Sequence, residues 1–257
     1  MNLFVTISLL VIGTLSVARA QVLRQPIPDK VVVLTFDDAS VTHATVVAPI
    51  LKKYGFGGTF FVCEFPPDFA DKTKYLSWEQ IQQLDRMGFE IANHTLTHKA
   101  VSKLTKAQFR AELDSIEARC QTRGIARPVT FAYPGYDTHP NVYAVLKEKD
   151  YLLARVGGSR PYDPTVDHPY LIPSYSMAEV EKPTLLAALG EAKGGKVVVL
   201  TVHGVPDYAH DWVTTAPALF EEYMKYLHDN HYTVISLRNL ATYINVPQAL
   251  ATIPLKP

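Results

Sequence analysis

The stretch "VVLTFDDAS", residues 32 to 40, ends an apolar run on two adjacent aspartates. Val31 to Phe36 is continuous and β-branched, about six residues long, which predicts a buried strand. Asp37 and Asp38 follow at its end. Each carboxylate costs several kcal/mol to desolvate unless it is paired, hydrogen-bonded or metal-bound. Two of them leaving a hydrophobic sheet side by side imply a task for each.

The same formula recurs along the chain. Further strand-like runs fall at 57–63 "GGTFFVC", 89–92 "FEIA", 129–132 "VTFA", 152–155 "LLAR", 196–202 "KVVVLTV" and 232–237 "YTVISL". Helical patterns lie between them. One follows the first strand to Tyr54, and another begins at Ser77 with Gln80 at capping-box spacing and stops at Gly88. A third begins at Thr105 with Gln108 and stops at Gly124. Others are expected near 139–149, at "TLLAALGEA" (184–192), at 216–230, and in a closing helix "RNLATYI" (238–244). Seven strand–helix pairs predict an α/β fold with a mainly parallel sheet, and at this length a distorted (β/α) barrel forming a single domain.

The first twenty residues are set apart. "LFVTISLLVIGTLSV" is an apolar core, and "ARA" before Gln21 has the small-x-small form of a cleavage site. The apolar run is about fifteen residues against roughly twenty needed to span a bilayer, so residues 1–20 read as a cleaved signal peptide and 21–257 as an exported chain with no membrane span. The leading "MN" lacks the usual Lys or Arg. Lys and Arg total 25, as do Asp and Glu, with no run of one sign, which argues against nucleic acid or any polyelectrolyte held by bulk charge. Two cysteines, Cys63 and Cys120, are too few for a disulfide scaffold and are expected as buried free thiols.

On parallel α/β sheets, sites form on the loops after the carboxyl ends of the strands. After the first strand come Asp37 and Asp38, after the third His94 and His98, after the fourth "YPGYD", and after the sixth His203. Taken singly, the aspartates could cap the next helix, the histidine pair could sit in a solvated turn, and His203 could be a core residue. Their convergence on one face favours a constellation. Two His and one carboxylate match a metal site with open positions, suited to zinc, with cobalt, nickel, manganese or ferrous iron as alternatives. Such a metal lowers the pKa of water toward ~7. The second aspartate is then free to act as general base and His203 to protonate a leaving group.

"TFDD" (35–38), "HTLTH" (94–98) and "LTVHG" (200–204), in that order, resemble the motifs of the polysaccharide deacetylases, the NodB homology domain or carbohydrate esterase family 4. The resemblance covers about residues 30 to 240. It implies a distorted (β/α) barrel that removes acetyl groups from N-acetylglucosamine polymers or O-acetylated polysaccharide. It implies Asp37 as base, Asp38, His94 and His98 as ligands of a metal that is normally zinc, and His203 as acid. Backbone N–H groups near Gly135 and Tyr136 would stabilise the oxyanion, each such donor lowering the barrier by ~3–4 kcal/mol.

Two departures accompany the resemblance. Many members carry an Arg after the fourth strand that pairs with the catalytic carboxylate, where this chain has Ala132. Arg155 is a candidate substitute, with an ordinary surface Arg as the alternative. Segment 156–177 lacks the family's Asp-Trp pattern, so substrate contacts do not transfer. Among the remaining polar residues, His43 is placed to face the cleft, while His139 and His168 read as surface turns. Tyr208, His210 and Trp212 lie on a loop above the proposed metal, where Tyr208 and Trp212 would either stack on sugar or pack the loop. Two other functions share the pattern: hydrolysis of a small cyclic amide or ureide, and non-catalytic glycan binding.

Overall fold

The computed structural model describes residues 22–178 and 182–256; the proposed signal peptide lies outside them. The strands are β1 (Val31–Phe36), β2 (Thr59–Val62), β3 (Glu90–Asn93), β4 (Thr130–Ala132), β5 (Leu153–Arg155), β6 (Tyr175–Ser176), β7 (Val198–Val202) and β8 (Thr233–Ile235). They pair in parallel in the order β5-β4-β3-β2-β1-β7-β6, with β8 against β1. β1 holds β7 along Val32–Phe36, whereas β8 pairs with its first half and β2 with Thr35 and Phe36. Residues 172–176 join the sheet's two edges: Ile172 exchanges backbone bonds with Ala154 and Val156 beside β5, and Tyr175 and Ser176 pair with β7. The result is the distorted barrel that the strand–helix alternation predicts.

The helices are α1 (Ala48–Tyr54), α2 (Trp78–Arg86), α3 (Lys106–Gln121), α4 (Pro140–Glu148), α5 (Lys182–Leu189), α6 (Pro217–Asp229) and α7 (Val246–Thr252). Both capping boxes form: Ser77 with Gln80 starts α2, and Thr105 with Gln108 starts α3. Gly88 and Gly124 take left-handed φ of 90° and 68° just beyond these helices, which glycine does without steric cost. Two elements depart from the sequence reading. "RNLATYI" forms a short 3₁₀ turn (Arg238–Thr242) rather than a helix, and α7 follows it. The two-residue β6, inside the predicted loop 156–177, is too short to carry a periodicity. Cys63 and Cys120 are buried free thiols, as expected.

Side chains alternate across each strand, and this alternation builds the site. In β1, Val32, Leu34 and Phe36 pack outward under the helices, while Val31 and Val33 pack inward with Phe61, Ala92, Ala132, Leu153 and Val199. Continued two residues at a time, the inward phase runs from Val33 through Thr35 to Asp37 and from Ala92 to His94. It likewise runs from Leu153 to Arg155 and from Val199 through Thr201 to His203. An apolar interior thus ends at its mouth in a ring of ionisable groups.

Candidate active site

At that mouth lies a cavity of about 500 Å³ lined by Asp37, Asp38, His94, His98, His203 and His210, with Phe65, Tyr136 and Trp212 among its walls. The turns that shape it use left-handed backbone at Asp38, Ala39, Thr95, His98 and Tyr136. For non-glycine residues this costs on the order of 1 kcal/mol each and persists only where surrounding contacts impose it.

Those contacts are specific. Glu112, on α3, accepts the Leu96 N–H (2.8 Å), the Thr97 N–H (2.7 Å) and the Thr97 hydroxyl (2.9 Å), clamping the turn between His94 and His98. Asn93 accepts the Thr95 N–H at 3.0 Å and donates to Leu113 O and Tyr151 Oη. The histidines four apart therefore converge through a turn fastened to α3, not along a helix. Glu112 has no sequence signal, being one more polar residue on an amphipathic helix.

His94 Nδ1 lies 2.8 Å from the Ala132 carbonyl, which can only accept, so Nδ1 carries the proton and Nε2 is turned to the cavity. There His94 Nε2 and His98 Nε2 sit 3.4 and 3.3 Å from Asp38 Oδ1. The Asp38, His94 and His98 donor atoms all lie within 4.8 Å of one another. Bare nitrogens converging on a carboxylate oxygen repel unless a proton or a cation stands between them. A carboxylate and two imidazoles, that of His94 fixed by its outer hydrogen bond, fit a divalent cation.

Burial pushes the Asp38 carboxyl up, but the facing imidazoles of His94, His98 and His203 outweigh it and hold the group well below the usual carboxylate range. Burial, with His94 beside it, pulls His98 down to about 4. Burial also pulls His94 down, yet Asp37 and Asp38 reverse this and leave it raised. Cys63 Sγ lies 3.8 Å from Asp38 Oδ1, and burial, reinforced by the two aspartates, keeps it a neutral thiol.

Asp37 is held separately. Arg155, fully buried, donates from Nη2 to Asp37 Oδ2 at 2.5 Å and from Nη1 to Thr201 Oγ1 at 3.0 Å. Its guanidinium lies 5.4 Å from the Phe61 and Tyr136 ring centres. Ala132 and Arg155 are register partners in the sheet, so the small alanine leaves Arg155 room to reach Asp37 from one strand over. The surface alternative for Arg155 is excluded. Asp37 Oδ1 is buried with no hydrogen-bond partner among the described residues.

His203 Nε2 faces Asp38 Oδ2 at 3.8 Å. His210 Nδ1 is 3.7 Å from Asp38 Oδ2 and 3.7 Å from Asp207 Oδ1, and Asp207 raises its pKa. Gly135 and Tyr136 line the cavity, but the Tyr136 N–H donates to Tyr133 O at 3.0 Å, which leaves Gly135 as the amide of the pair free of that bond. The Tyr136 ring lies flat on Gly157, where a Cβ would come within 2.9 Å of it. Trp212 stands at the rim, 70 % exposed, while Tyr208, also exposed, is not among the lining residues.

Two histidines depart from expectation. His43 does not face the cleft: it is fully buried, with Nε2 3.0 Å from the His203 carbonyl. His168 is buried and accepts the Tyr170 N–H. His139 lies in a turn at the surface, as expected, where it caps α4 by accepting the Asn141 N–H.

The polysaccharide deacetylase family model matches residues 24–154. YxkH of Bacillus subtilis (strain 168), a protein assigned to the polysaccharide deacetylases, is 32 % identical over 85 residues, 33 % of this chain and 29 % of its own length. The peptidoglycan-N-acetylglucosamine deacetylase of Bacillus cereus is 27 % identical over 128 residues, 49 % of this chain and 56 % of that protein. The chain thus spans little more than half the length of these relatives at most. A Mycobacterium smegmatis structure assigned to the polysaccharide deacetylases has the same fold, with a TM-score of 0.63 at 19 % identity, covering 93 % of this chain and 98 % of that one.

Proposed function

This chain belongs to the polysaccharide deacetylase family, and we propose that it is a metal-dependent hydrolase removing acetyl groups from an N-acetylglucosamine-containing or O-acetylated polysaccharide. The observation that carries the reading is the pairing of a carboxylate held by a buried Arg, Asp37 with Arg155, against the separate Asp38–His94–His98 donor set. Asp38, His94 and His98 would hold the cation, zinc by the borderline character of its donors, with cobalt or nickel as substitutes. When bound, it supplies Lewis-acid polarisation of the acyl carbonyl and acidification of water.

The chain's own groups divide the remaining work. Arg155 engages Asp37 Oδ2, which leaves Oδ1 to take the proton of the attacking water. The water oxygen bonds to the acyl carbon, and the Gly135 N–H stabilises the charge that develops on the carbonyl oxygen. His203 protonates the departing amine or alkoxide as its bond to the acyl carbon breaks, and acetate is released. Trp212 and Tyr136 offer ring faces to a sugar at the cavity's edge. In this reading residues 1–20 direct export, and residues 21–257 form the catalytic domain in a secreted or periplasmic protein.

The test is acetate release from N-acetylglucosamine oligomers, peptidoglycan and acetylated xylan, with zinc-loaded and chelated enzyme. Chelator-sensitive acetate from one of them is expected, with Asp37→Asn abolishing turnover while retaining metal. No acetate from any, with metal bound, overturns the proposal.

A further inference from the structure

The β1–β7 ladder extends one residue past β1, where the Asp37 N–H donates to Val202 O at 2.9 Å. The two chains then part, one carrying the aspartates and the other His203. Among the described residues no hydrogen bond fixes the His203 ring: Nδ1 is buried without a partner, and Asp38 Oδ2 stands 3.8 Å from Nε2, beyond hydrogen-bond reach. Its imidazole therefore sits where its backbone puts it.

That backbone is gripped from the β1 side. His43 Nε2 lies 3.0 Å from His203 O, and because a carbonyl only accepts, Nε2 carries the proton. Thr42 Oγ1 accepts the Val205 N–H at 2.8 Å, donates to Pro206 O at 3.1 Å, and meets Ser40 Oγ at 3.0 Å, which fills a hydroxyl's bonding capacity. The fit leaves no slack at Gly204, where a Cβ would lie 2.3 Å from Asp207 Cα and 2.7 Å from Ser40 Oγ. Both gripping residues are themselves fixed: His43 and Thr42 are 0 % and 1 % exposed, and the His43 ring packs on Phe36 and Phe60 with centroids 5.7 and 5.4 Å away.

We propose that His43 and Thr42 are positioning residues that hold the His203 imidazole in place for proton donation by bonding the backbone of residues 203–206. The inference rests on the reading of His203 as the acid and extends it to two residues that touch neither substrate nor metal. The sequence reading of His43 as a cleft contact is replaced by this role.

The leaving group separates positioning from mere structure. An N-acetylglucosamine oligomer releases an amine that must be protonated, whereas 4-nitrophenyl acetate releases a phenolate that leaves without a proton. The readout is the ratio of kcat/KM on the oligomer to that on the aryl ester, with metal content measured in each variant. His203→Ala should lower this ratio, and His43→Leu and Thr42→Val should lower it about tenfold or more. His43→Gln and Thr42→Ser keep a donor or hydroxyl in place and should stay near wild type. Should His43→Leu fail to fold, Thr42→Val carries the test. A ratio unchanged in these variants while His203→Ala lowers it overturns the brace alone. A wild-type enzyme that releases no acetate from any glycan overturns the underlying reading, and this inference with it.

Discussion

Replacing Arg155 by Met tests the link between Asp37 and the sheet most directly. Arg155 is 0 % exposed and Asp37 3 %, so solvent does not screen the pair. Removing the guanidinium leaves a buried carboxylate without its ionic partner, which costs about 3–5 kcal/mol. That is a large share of the 5–15 kcal/mol typical of a domain. Asp37→Asn strands the guanidinium in turn, with Thr201 Oγ1 and two aromatic faces as its remaining company. The double variant removes both charges together and should cost less than the two single losses summed, by about 2 kcal/mol or more. The assay is urea unfolding of chelated protein near neutral pH for the wild type and all three variants, comparing midpoints at constant slope. A loss under about 0.5 kcal/mol for Arg155→Met, as for an exposed side chain, would refute the buried-pair argument. So would additivity of the two single substitutions within about 0.5 kcal/mol. Acetate release should fall in every variant, since Asp37 loses either its carboxylate or the group that orients it.

Glu112→Ala frees the turn between His94 and His98 and should weaken zinc binding about ten- to a hundredfold in competition with a chromophoric chelator. Unchanged affinity would mean that the turn holds its shape without the clamp. Burial pulls His43 from 6.5 down to about 4, so the unfolded chain takes up that proton first as the pH falls. The stability this group contributes is complete above pH 6.5, and roughly 3 kcal/mol of it is lost on descending to about pH 4. His43→Gln should remove that share of acid sensitivity in denaturation measured across the window, and an unaltered pH dependence would contradict it. Gly157→Ala drives a Cβ to 2.9 Å from the Tyr136 ring and should raise KM for a polymeric substrate several-fold, with little change in kcat on an aryl acetate. Equal effects on both substrates would point instead to general damage.

Much of the site was legible because inward-facing positions recur every second residue, so a polar residue at the end of an apolar strand is committed to the barrel mouth. Asp37, His94 and His203 are read this way, and Asp38 and His98 follow within the same turns. Arg155 obeys the same rule, yet a lone Arg ending a three-residue strand looks like any surface Arg until its neighbour is known. His43 departs from its sequence reading for the complementary reason. Proximity to the strand end suggests the cleft, whereas the turn through Ser40 and Thr42 carries the ring to the outer, helix-covered face of the sheet, onto Phe36 and Phe60.

By itself the sequence determined which segments form the strands other than β6, where α2 and α3 begin and end, and which ionisable side chains stand at the strand ends. These follow from local periodicity, capping chemistry and the hydrophobic effect. Only the tertiary structure decided who partners whom. That Arg155 reaches Asp37 over Ala132, that Glu112 clamps Leu96 and Thr97 in the turn bearing His98, and that His43 grips the carbonyl of His203 are contacts between residues 118, 15 to 16 and 160 positions apart. Pairings of this kind depend on strand order and register, which no local pattern in the chain records.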